Sequence, residues 1–501
     1  MAKVRKAEVD PRRLELAADP YRPAYHYLAP ANWMNDPNGT LFWKGRYHLF
    51  YQHNPNGAFW GDMHWGHASS EDLVHWTDHP IALAPGPGGP DRLHCFSGAA
   101  FLSREGKPTF FYHGVPDGMC IATSHDELLR RWEKHPANPV IPNPGPRDEY
   151  RITGTGCAWI EGDDYYAITG NSVASPDAAY LFRSRDLAHW EYLHPLYVGG
   201  HFTDAGEDCA VPDFFPLGDK HVLLFASHLR GAQCYIGTYA NHRFTPERHV
   251  RLTGGLLGRT GGMCEGLTLQ DASGRRILFG RISEARYGYV QRASGWSGIF
   301  ALPMVMSLAK DGELNLDPVP ELEGLRANHR RVADLLLAAG AVVPLAGIRG
   351  DQLELRAVFE CGDAEEFGLA VRCSSDGDEQ TLVRFTTNPG QLNPASLELK
   401  GSRWMVPALI LDVTRSSVSA EVCNREPHQC QVPLADGQAV ELRVFVDRSV
   451  VEVFANSRHY LCKRIYPARD DSLGVSVFSV GGTATLRSLD AWDMEAVWPI
   501  Q

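Results

Sequence analysis

The chain has 501 residues, 44% of them hydrophobic and 22% charged, and a net charge of −12. This length predicts two domains rather than one ordinary core, and the composition is that of a soluble globular protein. The acidic balance, with no basic face, argues against nucleic acid or an anionic membrane as a partner.

The first ten residues contain no apolar run of the signal-peptide kind, and no stretch reaches transmembrane length. Eleven cysteines, an odd count with no Cys-x-x-Cys pair, fit a reduced cytoplasmic protein. A secreted protein that has lost its leader would read the same way.

The first informative element is Trp33-Met34-Asn35-Asp36-Pro37-Asn38-Gly39. Pro37 fixes its own φ and biases Asp36 toward extended backbone, and Asn38-Gly39 predicts a tight turn. The heptad has two readings. Asp36 is an acid held at a strand end beside an aromatic surface, suited to present a nucleophile to a sugar, or it caps a hairpin turn. Twelve Trp and eighteen Tyr offer flat faces for sugar rings, although most are expected to pack the core.

A repeat comes next. Ser70-Glu71-Asp72-Leu73 leads to Trp76 and His79-Pro80; Ser124 to Leu128 leads to Trp132 and His135-Pro136; Ser184 to Leu187 leads to Trp190 and His194-Pro195. The three tryptophans are 56 and 58 residues apart. A period of this size among short strands predicts propeller blades, about five in the first 300 residues. The His-Pro pairs are read as a shared turn at the blade edge.

His64-x-x-His67, with His48, His53 and His75 nearby, raises a zinc reading. Residues three apart on a strand point to opposite faces, and no cysteine pair assists, so no metal is assigned. There is no Gly-x-Gly-x-x-Gly or Walker pattern for a nucleotide.

Glu321 to Ala339 is partly amphipathic and predicts a helix, with Gly340 as its stop. Beyond it, Leu353 to Phe359, Glu441 to Val446 and Leu473 to Phe478 alternate with period two, which predicts an antiparallel β-sandwich. The expected organisation is a propeller over 1–318, a linker helix over 319–340 and a sandwich over 341–501.

These segments resemble glycoside hydrolase family 32, the invertase, inulinase and levanase group. Trp33 to Gly39 matches the family signature. Tyr51 to Pro55, Trp60 to His67, Phe96-Ser97-Gly98, Gly295 to Gly298, Leu302-Pro303 and Val446 to Phe454 come in the family's order, so the likeness runs over nearly the whole chain. The resemblance implies an all-β fold, a five-bladed β-propeller followed by a C-terminal β-sandwich. It also implies retaining hydrolysis of β-fructofuranosides through a fructosyl-enzyme, by two carboxylates about 5–5.5 Å apart and without a cofactor.

By this resemblance Asp36 is the nucleophile. The acid/base falls in Gly206 to Phe215, with Glu207 the first choice and Asp208 the second, since Glu reaches a leaving group more easily. Asp208 and Asp213 are otherwise read as acids that cap turns and bond to backbone. Asn35, Gln52, Trp60, Ser97 and Arg151 would line the fructosyl pocket. Glu265 is either a further acid at the pocket rim or a turn residue.

One departure stands out. Where the family has Arg-Asp-Pro, this chain has Arg151 with no aspartate after it, and Gly154 or Thr155 stands in the aspartate's place when the segment is aligned on Trp159. A neutral hydrogen bond would replace two charge-assisted ones, and a contact of this type can be worth about 10²–10³ in rate. Three functions remain open: a β-fructosidase acting on sucrose, fructo-oligosaccharides or fructan, a fructosyltransferase such as a levan fructotransferase, and a catalytically impaired carbohydrate-binding protein. Retention of both Asp36 and Glu207 favours an enzyme.

Overall fold

The computed structural model describes residues 10–152, 156–170, 178–199, 202–203, 206–207, 209–253, 262–387, 407–435 and 437–498. Among these, strands form seven sheets. Five are blades of a propeller whose innermost strands are Asn32–Trp43, His94–Leu102, Ala158–Glu161, Ala210–Leu217 and Met263–Gln270. The ring is fastened by Trp296–Ser297, which pairs in parallel with Asn32 and Trp33 of the first blade.

The tryptophan repeat is the outer hairpin of three blades. In each, an aspartate accepts from a backbone N–H two residues on: Asp72 from Val74, Asp126 from Leu128 and Asp186 from Ala188, all at 3.0 Å. A leucine in each turn adopts positive φ: +65° at Leu73, +53° at Leu129 and +68° at Leu187. Its carbonyl then accepts the indole N–H of Trp76, Trp132 or Trp190. An aspartate turn and an indole bond therefore close each hairpin. His79 and His194 lie in the outer strands beyond these turns, and His135 just after one of them.

Two six-stranded antiparallel sheets form the sandwich. Leu353, Leu355, Ala357 and Phe359 of Gln352–Glu360 are buried at every second position and face Phe367, Leu369 and Val371 in one core.

The segment expected to be a linker helix is not one. Pro320–Leu325 is a short 3-10 segment, and Arg326–Leu337 is a strand paired antiparallel with Ala484–Met494. Asn328 and Asp334 sit at φ +49° and +50°, which a helix does not accommodate. Residues with good helix propensity are taken into a sheet edge because the pairing partner is there. Arg330 meets Asp493 and Arg331 meets Asp490 across that edge, the charged decoration that edge strands commonly carry. Gly340, at φ +76°, turns the chain into the next strand.

The two units are joined by a buried charge cluster. Asp447 and Glu452 flank the hairpin between Val440–Asp447 and Val450–Ala455. Asp447 accepts from the backbone N–H groups of Ala24, Tyr25 and His26 at 2.7, 2.9 and 3.0 Å. The His26 ring bridges Asp447 at 2.8 Å and Glu452 at 2.6 Å. Glu452 also accepts from Leu302 N at 2.9 Å and Tyr460 Oη at 2.6 Å.

Burial disfavours a charged His26, but its two carboxylate partners outweigh burial and raise its pKa to about 9. A raised folded-state pKa gives stability that is complete below the unfolded value, about 6.5, and is lost as pH climbs through about 9. We expect unfolding free energy from denaturant titration to fall by on the order of 3 kcal/mol between about pH 6.5 and about pH 9.5. His26→Gln should start lower and lose most of that slope; an unchanged slope would remove His26 as the cause.

Candidate functional site

Each inner strand begins at the same end of the propeller, and four of them begin with the same irregularity. Asn35 and Asp36 together oppose Gln52, because Met34 pairs with His53 while Pro37 pairs with Tyr51. Phe96 and Ser97 oppose His113 in the second blade. Val211 and Pro212 oppose Phe225 in the fourth. Cys264 and Glu265 oppose Arg281 in the fifth. A two-against-one bulge breaks the alternation of a strand and re-aims a side chain.

The bulge also corrects the reading of Asn38-Gly39. The strand Asn32–Trp43 continues through both residues, with a second register shift between Asn38 and Leu41. Gly39 sits at φ +50°, where a Cβ would lie 2.7 Å from the Phe110 ring. The glycine therefore allows one blade to pack on the next within a kinked strand; it does not end a hairpin.

Asp36 is buried, and its oxygens are held from two sides. Ser97 Oγ donates to Oδ2 at 2.6 Å, and Asn35 Nδ2 donates to Oδ1 at 2.7 Å. Asn35 is itself oriented by Trp33 Nε1 at 2.6 Å. Gln52 lies opposite this bulge and donates to the Cys95 carbonyl at 2.9 Å, tying the first two blades together. Trp60 is exposed, with its ring near those of His94 and Phe96 at the rim beside Ser97.

Glu265 joins the same cluster through a residue that sequence reasoning missed. Arg281 Nε donates to Glu265 Oε2 at 2.5 Å and lies 3.8 Å from Asp36 Oδ1. Burial pushes the Asp36 carboxyl up and the Glu265 charge adds to this, while Arg281, Ser97 and Asn35 pull the other way; the result is about 6. Burial opposes the Glu265 charge too, but Arg281 outweighs it and keeps that carboxyl below its ordinary value.

Glu207 occupies a second network, on the segment leading into the inner strand of the fourth blade. It is buried, and Arg251 grips it in bidentate fashion, Nη1 to Oε2 at 2.8 Å and Nη2 to Oε1 at 3.0 Å. Gln233 donates to Oε2 at 3.3 Å, and Arg230 Nε stands 3.8 Å from Oε1. Glu207 stands three residues before the inner strand Ala210–Leu217. Asp213 serves packing between blades, accepting from Thr268 N at 2.9 Å and Thr268 Oγ1 at 2.6 Å, in line with its reading as a backbone-bonding acid.

Arg151 is not brought to Asp36. Its Nη1 donates to the carbonyls of Asp148 and Tyr150 at 2.5 and 2.7 Å, within its own loop. Thr155 and Asp208 lie outside the described residues. His64 Nδ1 faces the Asp62 carbonyl and His67 Nε2 faces His48 Nδ1, so these two rings serve different neighbours. Arg281 had one weak signal in the sequence, a cation in the otherwise apolar end of the strand Arg276–Ile282. Arg251 and Gln233 had none, because nothing in their local pattern points to Glu207.

Comparison with known proteins gives a consistent family. A profile described as the Glycosyl hydrolases family 32 N-terminal domain matches residues 26–318, and one described as the Glycosyl hydrolases family 32 C terminal matches 321–493. The chain is 31% identical to a β-fructofuranosidase, insoluble isoenzyme 3, of Oryza sativa subsp. indica, over 95% of this chain and 91% of that one. It is 29% identical to the sucrose-6-phosphate hydrolase of Escherichia coli, over 96% of each. Among solved structures, fructan 1-exohydrolase IIa from Cichorium intybus superposes with a TM-score of 0.84 at 26% identity, covering 95% of this chain and 98% of that one.

The geometry around Asp36 predicts the acidic side of the activity profile. If Asp36 is the attacking carboxylate it must be ionised, and kcat/KM should then fall as pH drops through about 6. The Ser97 hydrogen bond favours the anion, so Ser97→Ala should move that acidic limb to higher pH and lower the plateau. A limb that stays in place would show that Ser97 does not bear on Asp36.

Proposed function

The chain belongs to glycoside hydrolase family 32, and on that premise we propose that Asp36 and Glu207 carry out retaining hydrolysis of β-fructofuranosides. The observation that carries this reading is the bulge that turns Asp36 out of its strand into a hydrogen-bonded, buried setting. The protein is a glycosidase that acts on fructose-containing saccharides.

In the first step an Asp36 oxygen attacks the anomeric carbon of the fructosyl unit. The bond to the leaving oxygen breaks, and the acid delivers a proton to that oxygen. This leaves an ester between Asp36 and fructose. In the second step the same acid, now a base, takes a proton from water; the water oxygen bonds to the anomeric carbon, and Asp36 leaves as a carboxylate. Both Glu207 oxygens accept from Arg251, so proton delivery by Glu207 requires one oxygen to turn away from the guanidinium.

Sucrose and short fructo-oligosaccharides are the proposed substrates. The solved structure of the Cichorium intybus enzyme in complex with 1-kestose, from a protein 26% identical to this chain, supports that choice. Asn35, Ser97, Trp60 and Glu265 are the proposed substrate-facing groups, with Gln52 behind them.

Incubation with sucrose, 1-kestose, inulin and levan, followed by product analysis, tests this reading. Free fructose is expected. Asp36→Asn should reduce kcat by about 10⁴ or more, the loss typical for removal of a nucleophile that acts with a partner. Glu207→Gln should be severe and Asp208→Asn mild. Anhydrides or longer chains would instead indicate transfer, and binding without turnover would indicate a carbohydrate-binding protein. Abolition by Asp208→Asn with Glu207→Gln harmless would exchange the acid/base assignment.

A further inference from the structure

Asp36, Ser97 and Glu265 occupy the second bulged position in three different blades. Two of them already touch, since Ser97 donates to Asp36. The third sits at the corresponding point of the neighbouring fifth blade and reaches the same carboxylate through Arg281. The side chains of Asp36, Glu265 and Arg281 are 12%, 9% and 21% exposed, so the trio is mostly buried yet still reached by solvent.

A buried ion pair is a poor stabiliser, because desolvation consumes most of its Coulomb energy. Setting one beside a nucleophile makes matters worse for Asp36, whose charge Glu265 opposes. A structural purpose does not explain that cost. Chemistry does. As the fructosyl ring approaches its transition state it gains positive charge, and its hydroxyls become better hydrogen-bond donors. A fixed carboxylate beside the ring is worth more at that moment than in the ground state. Arg151 is committed to carbonyls of its own loop, and the Asp148 carboxylate accepts from Gly145 N at 2.7 Å, so this part of the third blade does not offer Arg151 or Asp148 to the ring.

We propose that Glu265 grips the ring hydroxyls of the fructosyl unit and supports its transition state, with Arg281 as the positioning residue that aims it. This rests on the fructosidase reading and extends it to a specific residue pair. Arg281 presents one edge to Glu265 and comes near Asp36 with the same nitrogen. It therefore fixes the spacing of the two carboxylates and keeps their charges from collapsing onto a shared proton.

The test measures two things. In the active protein, Glu265→Gln keeps the shape and removes the charge; kcat/KM on sucrose should fall by about 10²-fold or more. Its acidic limb should move to lower pH, since Asp36 loses a repelling neighbour, whereas Arg281→Gln should move the limb to higher pH. A purely structural pair would not predict a selective loss in kcat with the fold intact, so thermal melts accompany each variant. Glu265→Asp, which keeps the charge, should retain more activity than Glu265→Gln.

Fructose binding in the Asp36→Asn background, measured by calorimetry, is independent of turnover. Adding Glu265→Gln should weaken it about tenfold or more, the loss expected for a charge-assisted hydrogen bond. Kinetics and binding both indistinguishable from the parent would overturn the proposal, as would an Asp36→Asn parent that binds no fructose. If the wild type releases no fructose, the fructosidase reading fails, while the calorimetric comparison still decides the role of Glu265.

Discussion

The site depends on one backbone constraint, the extra residue near the start of four of the inner strands. In a regular strand, neighbouring side chains point to opposite faces, and a single-residue slip exchanges them. The bulge lets Asn35 and Asp36 stand together opposite Gln52, and does the same for Cys264 and Glu265 opposite Arg281. The residues just past the bulge reinforce it. Pro37 needs no ladder hydrogen bond, and Gly98 passes so close to the next strand that a Cβ would lie 2.2 Å from the Phe111 carbonyl. The blades thus supply rigid, repeated mounts, and chemistry enters through which residue each mount carries.

The electrostatics of Asp36 and Glu265 derive from those mounts, whereas Glu207 lies on the segment before the fourth blade's bulge. Glu207 is held by Arg251 and Glu265 by Arg281, both at short range. Asp36 is the exception. Arg281, the cation beside it, is 3.8 Å away and already engaged, so burial prevails and the carboxyl titrates at about 6, well above its ordinary value. An under-compensated carboxylate is costly to the fold and useful in a nucleophile, which must give up its charge to a carbon atom and take it back. The His26 cluster has the opposite design. There one imidazolium bridges two sealed carboxylates, whose remaining lone pairs are met by backbone N–H groups and a tyrosine hydroxyl, and the cluster holds the sandwich against the propeller.

Much of this was legible from residues alone. The aspartate turn and indole bond that close the outer hairpins are local, so the spacing of Trp76, Trp132 and Trp190 revealed the blades. The alternation at Leu353 to Phe359 revealed the sandwich for the same reason. Failures came where partners far along the chain decide. Arg326 to Leu337 reads as helix until its sheet neighbour, Ala484–Met494, is known. Asn38-Gly39 reads as a turn until Phe110 fills the space above the glycine. Glu265 could not be separated from a turn residue because its meaning comes from Arg281, across a register shift that no linear pattern encodes.

The central claim is that the Asp36 oxygen forms a bond to the sugar during turnover. Rapid acid quench during hydrolysis of sucrose, followed by intact-mass measurement and peptide mapping, addresses it directly. The account predicts a fructosyl adduct on the peptide that contains Asp36, lost in Asp36→Asn. An adduct on a different acid, or fructose release with inverted stereochemistry and no adduct at all, would contradict it.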